Sequence, residues 1–156
     1  MPENPDLLTF EDFTPGHFGT FGPRHVTRDE IIDFAREFDP QPMHLDDAAA
    51  QQSMLGGLAG SGWHTCALIM RMIYDGFLHR TASLGSPGVQ ETKWVAPLRP
   101  DDELMLDVAV SEARPSASRP GTGIVTFQMV LRGRAGIVAE MKPVLMIGGR
   151  DGAQAA

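Results

Sequence analysis

With 156 residues and 16.9 kDa, the chain has room for one ordinary core and not comfortably for two. It is 42% hydrophobic and 21% charged, which excludes the disordered and collagen-like classes. Twenty acidic against thirteen basic residues leave a net charge of −7, a field that argues against general nucleic-acid binding and obliges any polyanionic ligand to find a local basic patch.

The start, Met1-Pro2-Glu3-Asn4-Pro5-Asp6, has neither a basic nor an apolar signal region, and no 18-residue run is apolar enough to span a membrane. The one cysteine, Cys66, can form neither an internal disulfide nor half of a Cys–Cys zinc pair. The expectation is a cytoplasmic protein with no nucleic-acid or membrane partner. Up to residue 26, Phe10, Phe13, Phe18 and Phe21 alternate with Gly and Pro, which predicts irregular structure with short strands pinning aromatics to a core. Thr27-Arg28-Asp29-Glu30 is a capping box, and Ile31, Phe34, Ala35 and Phe38 follow at helical spacing, predicting a helix near 28–38. Pro40 stops it, and Pro42 is expected to keep the chain extended for two more residues.

Asp46 to Ala50 reads as a capped helical turn or two. After the glycine-rich stretch 56–62, apolar residues fall on nearly every face from Trp63 to Leu78, which predicts a long buried helix with a sheet around it. Four strands follow, near 89–96, 104–111, 125–131 and 137–147, with a hairpin turn at 132–136 and an edge or bulge at Pro143. The class is therefore α+β, as one domain over 1–150 with a frayed tail at 151–156.

The chemistry concentrates in Phe38-Asp39-Pro40-Gln41-Pro42-Met43-His44. Extended, these residues hold the Asp39 and His44 Cα atoms roughly 15 Å apart. Bent, they bring a carboxylate and an imidazole together on one water, the arrangement that general acid–base catalysis needs. The competing reading is a helix end at Asp39 and a half-buried structural His44. Gly60-Ser61-Gly62 is not a nucleophile elbow, because the flanking glycine positions hold Ala59 and Trp63. Ser61 reads instead as the cap of the long helix, and Cys66 as a buried, inert thiol. His44-Leu45-Asp46-Asp47 offers metal-ligand types, but both acids also suit a helix start, and no metal is assigned.

The same segment resembles the signature of the (R)-specific enoyl-CoA hydratases and the wider MaoC-like dehydratase family: Asp, any residue, Asn, Pro, an apolar residue, His, then a helical Ala. Here Gln41 stands for the Asn, and Phe38 for a frequent Gly. Gly57 to Thr65 resembles the family's glycine-rich approach to its central helix, and Gly88 to Trp94 its next strand. Val95 to Leu104 resembles its strand–turn–strand, with Asp101 for the usual Gly, and Arg114 to Pro120 resembles another recurring stretch. The resemblance implies a hot-dog fold, a sheet wrapped around one long helix.

It also implies an enzyme that adds water to, or removes it from, a 2-enoyl/3-hydroxyacyl thioester of coenzyme A or an acyl carrier. Asp39 and His44 would then take a proton from water as its oxygen attacks the β-carbon and deliver one to the α-carbon. Backbone N–H groups near Ser61, Gly62 and Trp63 would receive the thioester oxygen at the positive end of the helix dipole. No cofactor is required, and a homodimer or larger homo-oligomer is implied. Two other readings are a non-catalytic acyl-thioester-binding module and a thioesterase. Against the thioesterase, the first acid on the long helix is Asp75, several turns in. Candidate cations for a phosphate tail are Arg114 with Arg119, Arg132 with Arg134, and Lys93 with Arg99.

Overall fold

A computed structural model describes residues 4–153. The chain runs β1 (Gly16–His25), α1 (Arg28–Phe38), α2 (Asp47–Gln51), α3 (Gly62–Gly76), β2 (Ser83–Trp94), β3 (Glu103–Pro115), β4 (Thr122–Gly133), β5 (Gly136–Gly148) and α4 (Arg150–Ala153). The strands form one antiparallel sheet in the order β1-β3-β4-β5-β2.

The predicted alternation holds where the sheet is central. Leu104, Leu106, Val108 and Val110 on β3, and Phe127, Met129 and Leu131 on β4, are buried. They share one core with Leu68, Ile69, Met72 and Ile73 of α3, so the helix packs against the sheet as the hot-dog arrangement requires. Pro143 sits inside β5, which is flanked on both sides, and not at an edge. The register shifts on β2 between Val89 and Glu91, opposite Pro143, where the prolyl nitrogen has no proton to give.

Two expectations need correction. The aromatic stretch before residue 26 contains a full ten-residue strand, giving five strands instead of four. Its register slips around Gly19 and again before Arg24, which hides the period in the sequence. The long helix is not buried all round. Trp63, Met70 and Tyr74 are 64%, 48% and 50% exposed and follow one face of α3. Beyond it, β2 is a free sheet edge carrying exposed Leu84, Val89 and Trp94.

The ends of α1 follow the sequence closely. Thr27 Oγ1 accepts from the Glu30 N–H at 3.1 Å, while the Glu30 carboxylate accepts from the Thr27 N–H at 2.8 Å. Arg24, with further help from Thr27, holds the Glu30 carboxyl down at about 2, against the opposing effect of burial. Asp101 adopts a φ of 62°, the left-handed conformation that explains a Gly preference in this turn and that Asp tolerates better than most residues. Arg150 starts a final helical turn, its N–H donating to the Glu11 carboxylate. The last three residues of the expected tail lie outside the described residues.

Candidate active site

Asp39 and His44 meet because the chain between them bends. Asp39 caps the C-terminus of α1, its N–H donating to Ala35 O at 2.9 Å. The Gln41 N–H then donates to Asp39 O across Pro40 at 2.8 Å. Pro42 does not prolong an extended segment as predicted. It opens a 3-10 turn, Pro42–His44, closed by the His44 N–H on Gln41 O at 2.9 Å. The fixed proline φ suits the first position of a helical turn as well as it suits extended chain.

The result places His44 Nε2 3.5 Å from Asp39 Oδ2, with side chains 7% and 18% exposed. His44 Nδ1 lies 2.7 Å from Ala59 O. A carbonyl only accepts, so Nδ1 carries a proton, and in the neutral form of the ring it is the Nε2 lone pair that faces the carboxylate. Two acceptors at this separation do not bond each other. A water donating one O–H to each satisfies both and leaves its own lone pairs free to attack.

The carboxyl of Asp39 is held below the usual carboxylate range. Ser61's hydroxyl has the largest effect, then Gln41's amide; burial opposes them, and His44 contributes least. Gln41 Nε2 donates to Asp39 Oδ1 at 2.7 Å, leaving Oδ2 for the imidazole side. This orienting role was not read from the sequence, where an exposed glutamine between two prolines looks like turn material. Gln41→Ala is expected to cut kcat/KM by about tenfold and to move the acid limb of its pH profile upward, because the charged form of Asp39 loses a hydrogen bond. An unmoved acid limb would count against the assignment.

Ser61 is the predicted cap of α3: it is buried, and its Oγ accepts from the Trp63 N–H at 3.2 Å. That bond occupies Trp63. The Gly62 N–H has no acceptor among the described residues and stands as a free donor at the positive end of a fifteen-residue helix. The space a Gly62 Cβ would take is filled by the Trp94 ring, 2.5 Å from that position, and Trp94 Nε1 donates to Gly62 O at 2.8 Å. Glycine here admits a tryptophan, while the Trp63 side chain lies outward against Trp94 at 5.5 Å.

Beneath the site, Arg99 turns inward. Its guanidinium donates to the carbonyls of Leu55, Gly57 and Leu58, at 2.8 Å for Gly57, and the Gly60 N–H donates to Leu98 O at 2.8 Å. Arg99 is thereby committed to the loop before α3 and is removed from the candidate phosphate ligands. Arg132 pairs with Asp107 at 2.9 Å, and Lys93 with Glu91 at 3.1 Å. Arg114 lies level with Ile124 and Met146, whereas Trp94, beside the site, pairs with Ala139. Seven residues of strand separate those levels, roughly 23 Å. Within one chain, Arg114 and Arg119 therefore lie at the far end of the sheet from the dyad. Asp46 caps α2, and Asp47 pairs with Arg28 at 2.7 Å, so neither acid joins His44.

Comparison with known proteins gives concordant results. The family model for the MaoC-like domain matches residues 13–129. The chain is 31% identical over 115 residues to the uncharacterised protein YdeM of Bacillus subtilis, covering 73% of this chain and 81% of that one. It is similar to the solved MaoC-like dehydratase from Rhodospirillum rubrum at 38% identity and a TM-score of 0.81, covering 92% of this chain and 98% of that one. The R-hydratase PhaJ1 from Pseudomonas aeruginosa shares the fold at a TM-score of 0.70 and 19% identity, over 92% of this chain and 88% of that one.

Proposed function

The chain belongs to the MaoC-like dehydratase family, and from that premise we propose that it adds water to, or removes it from, a 2-enoyl/3-hydroxyacyl thioester of coenzyme A or an acyl carrier. The observation that carries the proposal is the Asp39–His44 pair, with the tautomer of His44 fixed by Ala59 O. In the hydration direction, water held by both acceptors gives one proton to the pair as its oxygen bonds the β-carbon. The C=C electron pair moves toward the thioester, whose oxygen takes up negative charge opposite the Gly62 N–H. The pair then returns one proton to the α-carbon, and the dyad ends as it began. No step in this sequence calls on a cofactor.

Asp75, the first acid on α3, is 52% exposed and pairs with Arg71 at 2.9 Å, so it is not placed as a thioesterase carboxylate. The half-buried lone thiol of Cys66 fits a reducing compartment, and the proposal places the protein in the cytoplasm. Among the described residues, no helix is long and apolar enough to cross a membrane. The test is direct. Incubated with short 2-enoyl-CoA thioesters, the pure protein is expected to remove the conjugated thioester absorbance. No loss with any chain length, and no gain from the 3-hydroxyacyl partners, would leave only a binding module.

The proposal includes a homodimer or larger homo-oligomer. The free β2 edge and the apolar face of Trp63, Met70 and Tyr74, which meet where Trp63 packs on Trp94, are the surface that a second copy would cover. Light scattering at micromolar concentration is expected to give at least twice the chain mass of 16.9 kDa. A monomer there would count against the assembly and leave the chemistry to be judged by the absorbance assay.

A further inference from the structure

The Arg99 guanidinium donates to Gly57 O at 2.8 Å, to Leu58 O at 3.3 Å and to Leu55 O, and among the described residues it pairs with no carboxylate. Asp101 and Asp102 follow closely in the sequence of a chain whose net charge is −7, so acids are near at hand. A cationic donor gains more from a carboxylate than from a neutral carbonyl, and its inward pose therefore requires a reason. The loop is built around it. Gly57 has a φ of 154°, and a Cβ there would stand 3.3 Å from Arg99 Nη1, closer than ordinary contact. Leu98, which is 1% exposed, holds the next stretch: a Cβ on Gly60 would stand 2.7 Å from Leu98 Cδ2, and the Gly60 N–H donates to Leu98 O at 2.8 Å.

Between these two holds lies the residue that matters to the dyad. Among the described residues, the main-chain N–H groups of Gly57, Leu58 and Ala59 find no protein acceptor. The polar ties of this stretch run through its carbonyls instead: Gly57 and Leu58 to Arg99, and Ala59 to His44 Nδ1 at 2.7 Å. Irregular chain keeps one conformation only where such ties offset the entropy of ordering it. Without Arg99, Ala59 O is free to leave the imidazole, and the neutral ring is free to move its proton to Nε2. From that nitrogen, 3.5 Å from Asp39 Oδ2, the ring donates toward the carboxylate and no longer offers an acceptor to a water.

We propose that Arg99 is a positioning residue for the hydration chemistry: through the carbonyls of Leu55, Gly57 and Leu58 it holds Ala59 O on His44 Nδ1 and so keeps the Nε2 lone pair turned toward Asp39. The inference rests on the hydratase reading above. Arg99 acts through the loop and bonds none of the groups that handle the water. Its fork, more than its charge, does the holding, because the three carbonyls are shared between both terminal nitrogens, which a single ammonium cannot reproduce. Arg99→Lys therefore keeps the charge and most of the aliphatic stem but loses the grip. The same loop ends at Ser61, the cap of α3, so slack in it also reaches the Gly62 N–H that faces the thioester oxygen.

The experiment reads the His44 tautomer from the imidazole ¹⁵N signals of histidine-labelled protein, at a pH where the ring is neutral, with the signal identified by its loss in His44→Ala. The wild type is expected to carry the proton on Nδ1. Arg99→Lys is expected to show both tautomers and to lower kcat for a short 2-enoyl-CoA by about 10- to 100-fold, with KM close to the parent's. In Arg99→Ala, millimolar guanidinium, far below a denaturing concentration, should restore part of the Nδ1 tautomer and of the rate, and methylammonium should not. A wild-type ring protonated on Nε2 would overturn the inference, as would a tautomer or a kcat that Arg99→Lys leaves unchanged. Methylammonium rescue as good as that by guanidinium would do the same. If both variants lose the parent's circular dichroism, Arg99 serves folding only and the positioning role is lost. The tautomer is read without substrate, so the two readings fail separately: a tautomer that follows Arg99 in a protein that turns over no enoyl thioester would sink the hydratase reading alone.

Discussion

Replacing Asp39 with Asn, or His44 with Ala, is expected to lower turnover of an enoyl thioester by roughly 10²- to 10⁴-fold each, the range for loss of a positioned acid–base group. Asparagine keeps the shape of Asp39 and one acceptor oxygen but loses the charge and presents an NH₂ group. The water is then no longer held between two acceptors. Alanine at 44 removes the second acceptor and leaves Ala59 O without its ring donor. Both residues lie outside the main hydrophobic cluster, so circular dichroism and the melting curve should show an intact fold. The double variant should be no more than about tenfold worse than the poorer single, because either partner alone cannot direct the water. Losses that multiply would mean that the two residues act independently, and the single-unit account would fail.

The largest effect on stability is expected at Phe77. It closes the C-terminal end of α3 and is 0% exposed. Its ring meets Phe18 at 4.9 Å, Phe21 at 5.5 Å, Phe127 at 5.9 Å and Phe13 at 6.2 Å. One side chain thus joins the N-terminal segment, β1, α3 and β4. Phe77→Ala should cost about 3–5 kcal/mol, combining lost transfer energy with a cavity that four aromatic neighbours cannot collapse to fill. For a chain of this length that lowers Tm by roughly 10 °C. Phe77→Leu retains most of the volume and should cost much less. A Phe77→Ala variant within about 1 kcal/mol of the parent would show that the aromatic cluster is looser than its geometry implies.

The sequence was most legible where a local rule decides the structure. Thr27 and Glu30 state the start of α1 by their spacing alone, Ser61 states the start of α3, and both caps form. The dyad was legible as a pair of residue types across two prolines, but not as a geometry. Pro42 limits one dihedral angle and leaves the choice between extended chain and a 3-10 turn to its surroundings. β1 was hidden because its glycines and Pro23 break the alternation, and only the partner strand β3 imposes order on them. The half-exposed α3 was unreadable for a different reason. Apolar content at Trp63, Met70 and Tyr74 says that those faces suit burial, not whether this chain or another covers them. Gln41 was legible as a motif position but not as the donor to Asp39, because that role lies in what stands opposite it, which no spacing within the chain reports.

The inward-facing Arg99 defines how small a portable version of this site can be. His44 takes its tautomer from Ala59 O, and Ala59 belongs to a loop whose carbonyls at 55, 57 and 58 are gathered by Arg99, which follows Gly57 by 42 residues in the chain. Gly60 is tied to Leu98 on the same arm. Grafting residues 39–44 alone into another scaffold would transfer the two side chains but not the carbonyl that tells the imidazole which nitrogen to protonate. A working transplant needs three separate pieces of chain: the bend, the loop with the first turn of α3, and the arm from Trp94 to Arg99. The minimal module is set by hydrogen-bonded backbone, not by the length of the motif.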